Sequence, residues 1–331
     1  MSNEHLYNWT IKIPFKEYNM RHIGKIIEEY RNDLKMSRSA LALNICSEKY
    51  IYLIEKGERT PSSIMLKQLS QRLGVDLFEY YKYLDCIDPI KVRDYMMVFH
   101  NYRVKNYNEE LKKETEAAMK LPDFKNKPWC YEIQLNIIIY NIFFKKEIEQ
   151  SILEINEMLQ KIEPKYSDEE FVVSLYVLLS TCYQIINNVE EARKNILIAH
   201  DLIQNKISIR YFRDTVINVR LNILTFYYRF GEYDKAIDRG RELVKYHYKS
   251  NSFEKLLNSC FFLAFSCYKS KLYDEAIEMY KTGIHAAMVD YRPQDIYYIS
   301  LQDVFYDMLE EKAIGRDLVN DFKKKYSNII N

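Results

Sequence analysis

The side chains that most often carry out catalysis or bind metals are scattered along this 331-residue chain. The six cysteines lie at positions 46, 86, 130, 182, 260 and 267, and none belongs to a CxxC motif. The six histidines include no HExxH motif and no other pair at the spacing of metal ligands. We therefore expect free thiols in a reducing compartment and no metal site.

Motifs for other catalytic chemistry are also missing from the sequence. There is no glycine-rich phosphate loop and no nucleophile elbow. The acidic runs 168–170 and 190–191 fall at predicted helix starts, where the helix dipole stabilises negative charge. We predict that the chain is not an enzyme and uses no cofactor.

Residues 37–61, SRSALALNICSEKYIYLIEKGERTP, have a spacing suited to recognition. Ser37 and Ser47 can each cap a short helix, and a tight turn would join the two helices. Gly57 can close the second helix in the left-handed conformation that glycine adopts at low cost. This pattern predicts a helix-turn-helix, whose second helix enters the major groove of DNA.

A five-helix module must position these residues, and we expect it to span residues 21–84. The predicted helices cover about 21–34, 38–44, 48–56, 61–73 and 76–84. Thr60-Pro61 is expected to start the fourth helix and Gly74 to end it. We expect an N-terminal extension at 1–20 and a linker at 85–90, because Asp88-Pro89 discourages a continuous helix.

From residue 91 to 331 the chain repeats with a period near 40. RFGEYDKAI at 229–237 is echoed by SKLYDEAI at 270–277, which places Ala236 and Ala276 at equivalent positions. Weaker copies place Ala192, Ser151 and Glu110 there. This period predicts a solenoid of helical hairpins, with about five repeats and a C-terminal cap. With only 7 Gly and 7 Pro, the whole chain is predicted to be all-α.

Two capping-box-like spacings predict further helix starts within this region. They are Ser167-x-x-Glu170 and Asn251-x-x-Glu254.

Charge and hydropathy narrow the class of protein. The net charge of +1 excludes a globally basic protein, although residues 11–40 carry seven Lys or Arg against four acids. No run of about 18 apolar residues occurs, and the N-terminus lacks the apolar core of a signal peptide. We expect a cytoplasmic protein with no membrane contact.

Residues 22–84 resemble the repressor-type (XRE) helix-turn-helix family. The resemblance implies that Arg38 takes the place of a frequent glutamine, and that a buried ion pair joins Arg31 to Glu55. Glu48 could accept a hydrogen bond from cytosine N4. The expected DNA contacts are Arg38, Ser47, Glu48, Lys49, Tyr52 and Arg59.

The later region resembles tetratricopeptide repeats, although its period of 40 exceeds the usual 34. That resemblance implies which positions of each first helix line a concave groove, Thr181 and Thr225 among them. Three recurring asparagines would clamp a peptide backbone, aromatic rings would form walls, and Arg229 or Lys269 could bind a terminal carboxylate. The expected ligand contacts are Asn136, Tyr140, Gln184, Asn218, Tyr228, Arg229, Asn258, Phe265, Tyr268 and Lys269.

The combination of the two parts is similar to the peptide-pheromone receptors of Gram-positive bacteria, the RRNPP group. It implies a homodimeric transcription regulator that binds a palindromic operator and a short signalling peptide in quorum sensing. One alternative is a DNA-binding regulator whose repeats dock a protein, such as an antirepressor or a signalling enzyme. Another is an interaction scaffold with a vestigial N-terminal domain.

Overall fold

The computed structural model describes residues 22–167, 169–204, 213–253 and 255–289, and within these ranges it contains helices and no strand. The all-α prediction is confirmed. The predicted N-terminal extension at 1–20 and the predicted C-terminal cap lie outside the described residues.

Fourteen α-helices occur in the described ranges, together with short 3-10 segments and one π turn. The first five are α1 (Ile23–Asp33), α2 (Arg38–Ala42), α3 (Glu48–Glu55), α4 (Ser63–Leu73) and α5 (Pro89–Lys105). The next five are α6 (Asn108–Ala118), α7 (Trp129–Tyr140), α8 (Ile148–Lys161), α9 (Glu170–Ile185) and α10 (Val189–Gln204). The last four are α11 (Arg213–Arg229), α12 (Tyr233–Ser250), α13 (Leu256–Lys269) and α14 (Tyr273–Val289).

The chain divides into two compact units. One comprises residues 1–101 together with Lys113–Cys130, and the other comprises Tyr102–Lys112 together with the chain from Tyr131 onward. The first unit extends past the predicted module at 21–84 for a local reason. The buried carboxylate of Asp123 accepts hydrogen bonds from the backbone nitrogens of Ile87, at 2.7 Å, and Asp88, at 3.1 Å. The boundary at residues 85–90 stays a prediction.

The core of the first unit follows the predicted apolar spacing. Ile26 of α1, Ile51 and Ile54 of α3, and Leu69 of α4 have no exposed surface. Residues three or four apart share one face of a helix, so these side chains all point inward. The short helices α2 and α3 are therefore held by α1 and α4, and their outer faces stay exposed.

Two details of this unit differ from the prediction. Helix α4 begins at Ser63, and Ser62 is its cap through an Oγ that accepts from the Met65 nitrogen at 3.3 Å. The predicted start at Thr60-Pro61 is therefore wrong by two positions. The fifth element, Leu77–Tyr83, is a 3-10 helix capped by Asp76. Gly74 ends α4 in the left-handed conformation, with a φ of +70°, as predicted.

In the second unit, consecutive helices form hairpins in the predicted register. Ala192, Ala236 and Ala276 open the second helix of three hairpins, and none of them has exposed surface. The ring pairs Tyr228–Tyr233 and Tyr268–Tyr273 have the same centroid distance of 6.1 Å and nearly equal interplanar angles of 53° and 54°. Residues 40 apart therefore occupy equivalent positions.

The two capping-box predictions are not confirmed. Helix α9 begins at Glu170, but Glu169 is at its N-cap and makes no side-chain capping bond. Asn251 instead closes α12 in the left-handed conformation, with a φ of +50°, and α13 begins later, at Leu256.

Candidate nucleic-acid interface and repeat cleft

The turn between α2 and α3 is fixed by the two serines expected from the sequence. The Ser37 Oγ accepts from the Ala40 nitrogen at 3.1 Å, and the Ser47 Oγ accepts from the Tyr50 nitrogen at 3.2 Å. Each hydroxyl satisfies a backbone donor that has no partner inside the helix. Gly57 follows α3 with a φ of +76°, so the predicted left-handed closure is confirmed.

A buried ion pair locks α3 against α1. The Arg31 Nε donates to the Glu55 Oε1 at 2.6 Å, and the Arg31 Nη2 donates to the Glu55 Oε2 at 3.3 Å. Glu55 has no exposed surface and Arg31 is 8% exposed. The structure thus forms the pair that the sequence predicted. Because both groups are removed from water, loss of either partner would leave a buried charge unpaired.

Arg38, a predicted DNA contact, also serves this buried carboxylate. Its Nε donates to the Glu55 Oε2 at 2.6 Å, and its guanidinium lies 5.4 Å from the centroid of the Tyr52 ring. The hydrogen bond to Glu55 raises the pKa of Arg38. Arg38 is one-third exposed, so it joins the interior network to the outer surface of α3.

The other predicted DNA contacts lie at the surface. Ser47, Glu48 and Lys49 at the start of α3 are exposed, as is Arg59 beyond its end. Tyr52 is 42% exposed and has a second cation, the Lys56 Nζ, 5.8 Å from its ring centroid. The first turn of α3 therefore presents a hydroxyl, a carboxylate and an amine, with a phenol one turn further on.

Two residues that stabilise this surface were missed by sequence reasoning. The Arg72 Nη1 donates to the carbonyl oxygens at the end of α2, including that of Leu41 at 2.9 Å. The ring of His22 lies so close to Gly57 that an added Cβ would be 2.6 Å from it. Burial lowers the pKa of His22, with a further contribution from Lys25. Neither contact has a local sequence signal, because the partners are about 30 residues apart.

The second unit contains a cleft of about 560 Å³. Three of the predicted ligand residues line it, namely Gln184, Tyr228 and Arg229. Thr181 and Thr225, two further groove positions expected from the repeats, do so as well. Sequence reasoning missed the remaining lining residues, Asn222, Tyr233 and Phe262, because they lie outside the expected positions. The lining combines hydroxyls, carboxamides, aromatic rings and one guanidinium, without a carboxylate.

Two of the three predicted asparagine clamps already have cationic partners. Asn136 is 1% exposed, and its Oδ1 accepts from the Arg103 Nε at 2.7 Å. The Oδ1 of Asn218, which is half-buried, accepts from the Lys255 Nζ at 2.8 Å. Asn258 is also half-buried. A buried amide already in a hydrogen bond is a poor clamp, so the expectation for Asn136 is corrected to a packing role.

The predicted aromatic ligand contacts also differ in how far they are buried. Phe265 is 4% exposed and packs in the apolar core around α13, so the expected wall position is corrected to a core position. Tyr140 is half-buried and stacks on Phe144 with a centroid distance of 4.8 Å. Tyr268 is half-buried and Lys269 is exposed, with its Nζ 5.8 Å from the Tyr268 ring centroid.

The four buried thiols are poorly suited to nucleophilic chemistry. All six cysteines are free, and burial raises the pKa of Cys86, Cys182, Cys260 and Cys267 to about 12 in each case. In the part of the chain that the structure describes, no three His, Cys, Asp or Glu side chains are grouped to hold a metal ion. Within the same ranges, no helix is long and apolar enough to cross a membrane.

Comparison with known proteins defines the class of the first unit. Residues 27–80 match the HTH_3 helix-turn-helix family, so this segment is a helix-turn-helix domain. The match covers the buried ion pair and the whole of α2, α3 and α4. No curated protein sequence is significantly similar to the chain.

Two solved structures share the fold over most of the chain. PlcR from Bacillus thuringiensis, in complex with the peptide PapR7 and DNA, has a TM-score of 0.61 and 15% identity, covering 81% of this chain and 95% of PlcR. A protein from Listeria monocytogenes EGD-e, assigned as a transcriptional regulator, has a TM-score of 0.52 and 13% identity, covering 89% of this chain and 99% of its own. The fold is thus that of a helix-turn-helix domain followed by an array of helical repeats.

Proposed function

We propose that the chain is a transcription regulator that binds a palindromic operator as a homodimer and senses a short signalling peptide. The peptide would bind in the cleft of the second unit and change operator binding, as in quorum sensing. The observation that carries this proposal is one chain that joins a helix-turn-helix domain with an exposed α3 to a repeat cleft rich in hydrogen-bonding groups. Its proposed place of action is the cytoplasm, where the operator is.

The DNA contacts follow from exposure on the first unit. Ser47, Glu48, Lys49 and Tyr52 would face base edges or the adjacent backbone, and Arg59 would contact phosphate. Arg38 would act chiefly by holding the Tyr52 ring, since its Nε is already bonded to Glu55. The carboxylate at position 48 could accept from an exocyclic amino group, such as cytosine N4.

The peptide contacts follow from the cleft. The Asn222 amide oxygen can accept from a peptide N–H, since only its Nδ2 is engaged, donating to the Asn218 carbonyl oxygen at 2.8 Å. Gln184 is 6% exposed and donates to the Ser180 Oγ, so it chiefly packs the floor of the cleft. Tyr228 and Phe262 supply apolar walls, with ring centroids 5.6 Å apart. The cleft volume of about 560 Å³ falls within the usual range for small ligands. PlcR, which shares the fold, was solved with a peptide and DNA.

Binding to duplex DNA is the first test. Duplexes selected from a randomised pool by the full chain would be titrated by fluorescence anisotropy at several salt concentrations. Lys49→Ala should weaken binding roughly tenfold and lower the salt slope by about one if Lys49 contacts a phosphate. Lys91→Ala, an exposed lysine of α5, is the matched control and should change neither quantity. Salt-independent binding, or no selected duplex, would remove the proposal.

Ligand capture is the second test. Native mass spectrometry of the chain purified from its own host should show an added mass of a short peptide. Adding that peptide should shift the affinity for the selected duplex. A protein present at equal stoichiometry, with no peptide, would favour the alternative in which the repeats dock a protein partner.

A further inference from the structure

Equivalent positions along the repeats differ in chemistry from one end of the array to the other. The shared register places Phe144, Ile185, Arg229 and Lys269 at the same position of four successive first helices. Ile185, Arg229 and Lys269 are each the last residue of their helix, and Phe144 lies in the π turn Asn141–Lys145. Phe144 is 51% exposed and Ile185 is 46% exposed, whereas the next two positions carry exposed cations.

The two cations differ from other charged side chains of the same unit in their partners. Arg193, Arg239 and Arg241 each form an ion pair with a glutamate, at 2.5, 2.8 and 2.6 Å respectively. Among the described residues, Arg229 and Lys269 form no ion pair, and the Lys269 amine contacts only the ring of its neighbour Tyr268.

The cleft beside Arg229 has no carboxylate to neutralise that guanidinium. Its other lining residues are neutral, and they include three aromatic rings. A guanidinium at the edge of an uncharged, partly desolvated cleft attracts an anion more strongly than one in open water, since the local dielectric constant is lower.

We infer that the ligand is an amphiphilic acidic peptide, oriented by a gradient from the apolar positions Phe144 and Ile185 to the cationic positions Arg229 and Lys269. Bulky apolar side chains of the peptide lie toward the first pair. Two negative groups, the terminal carboxylate and one acidic side chain, lie toward the second. This inference rests on the proposed function, and it adds the charge and the direction of the bound peptide.

The test uses the full chain, immobilised, and a pool of synthetic heptapeptides with free carboxyl termini. Peptides retained at physiological salt would be identified by mass spectrometry. They should be enriched in Asp or Glu near the carboxyl terminus and in Leu, Ile or Phe near the amino terminus. An amidated pool should be retained roughly tenfold less, because one charge-assisted hydrogen bond is lost.

Reversing the charge of the two cations tests directly whether they select acidic peptides. R229E with K269E should shift enrichment from acidic to basic peptides, whereas K245E, an exposed lysine of α12, should leave the selection unchanged. Circular dichroism would verify that each variant is folded. Retention of apolar peptides with no preference for acids would overturn this inference and leave the proposed peptide receptor standing. No retention from either pool would count against both.

Discussion

The two compact units hold their geometry by different kinds of contact. In the first, one buried carboxylate, Glu55, receives the guanidinium groups of Arg31 on α1 and Arg38 on α2. In the second, the helices meet at alanines without exposed surface, such as Ala236 and Ala276. Hydrogen bonds between charges are directional and fix one arrangement, whereas contacts at small residues depend on close packing. The arrangement of α1, α2 and α3 is thus fixed by directional bonds, and that of the repeat helices by close contacts at small side chains.

The largest effect should come from removing the shared carboxylate. Glu55→Ala leaves two guanidinium groups without their acceptor and should lower the free energy of unfolding by about 3–5 kcal/mol. Urea unfolding followed by circular dichroism would measure it. The matched control is Glu58→Ala at an exposed position, expected within about 0.5 kcal/mol of the parent protein. Equal effects from the two variants would mean that the network does not stabilise this unit.

The next largest loss of stability should come from disturbing the close packing between the repeat helices. Ala236→Leu adds three carbon atoms where there is no exposed surface, so overpacking should cost about 1–3 kcal/mol. The same residue placed at Lys245, which is exposed on α12, should cost well under about 1 kcal/mol. Thermal unfolding of both variants would compare them, and a tolerant core at position 236 would contradict the small-residue register.

Substitutions at two glycines distinguish the cost of backbone strain from the cost of steric crowding. Gly57→Ala and Gly74→Ala both place a side chain at positive φ, at a cost of about 1 kcal/mol each. Only at Gly57 would the new Cβ meet the His22 ring, at 2.6 Å, while Gly74 has open space around it. Gly57→Ala should therefore be the more destabilising, by up to about 1 kcal/mol, because the ring must shift to admit the Cβ. Chemical denaturation of the pair would show this difference, and equal losses would mean that the His22 ring moves aside freely.

The smallest effect concerns an ion pair between adjacent hairpins. The Arg241 Nη2 donates to the Glu275 Oε2 at 2.6 Å, and this bond lowers the pKa of Glu275. A depressed carboxyl pKa contributes stability above the ordinary value of about 4.5, and that contribution is lost as pH falls through the lower folded value. Glu275→Gln should lower stability at pH 7 by less than about 1 kcal/mol, because the pair is partly exposed.

Melting temperatures of the parent and of Glu275→Gln, measured from pH 7 down to pH 3, would follow that difference. The two curves should converge on the acidic side of pH 4.5. A gap that widens as the pH falls would contradict the assigned sign.

Local patterns in the sequence predicted the fold and the turn between α2 and α3. Serine caps, a glycine closure and apolar spacing located α1 to α4, and the 40-residue echo located the hairpins. What could not be predicted depends on contacts between distant residues. Asn251 shows the limit, because its spacing to Glu254 suits a cap at a helix start, yet it ends the preceding helix. Only the packing of α12 decides between the two uses of the same side chain.

The candidate site likewise combines features that the sequence predicted with contacts that it could not predict. The tetratricopeptide resemblance placed Gln184, Tyr228 and Arg229 on a concave groove, and all three line the cleft; their contact with a peptide stays a prediction. It could not reveal that the Arg103 Nε donates a hydrogen bond to the Asn136 amide oxygen, because Arg103 lies on an earlier helix. Nor could it reveal that Arg38 is bonded to Glu55, because a one-dimensional pattern gives the position of a side chain and not its partner.

The hydrogen bonds made by the Asp123 carboxylate limit where this chain can be joined to another in a chimeric protein. It binds the amide groups of Ile87 and Asp88 from a segment more than 30 residues further along the chain. A gene fusion with a single junction near residue 90 would carry the first four helices away from this partner. Exchanging the first unit intact therefore calls for three junctions, after residues 101, 112 and 130, so that the returning stretch around Asp123 is transferred together with it.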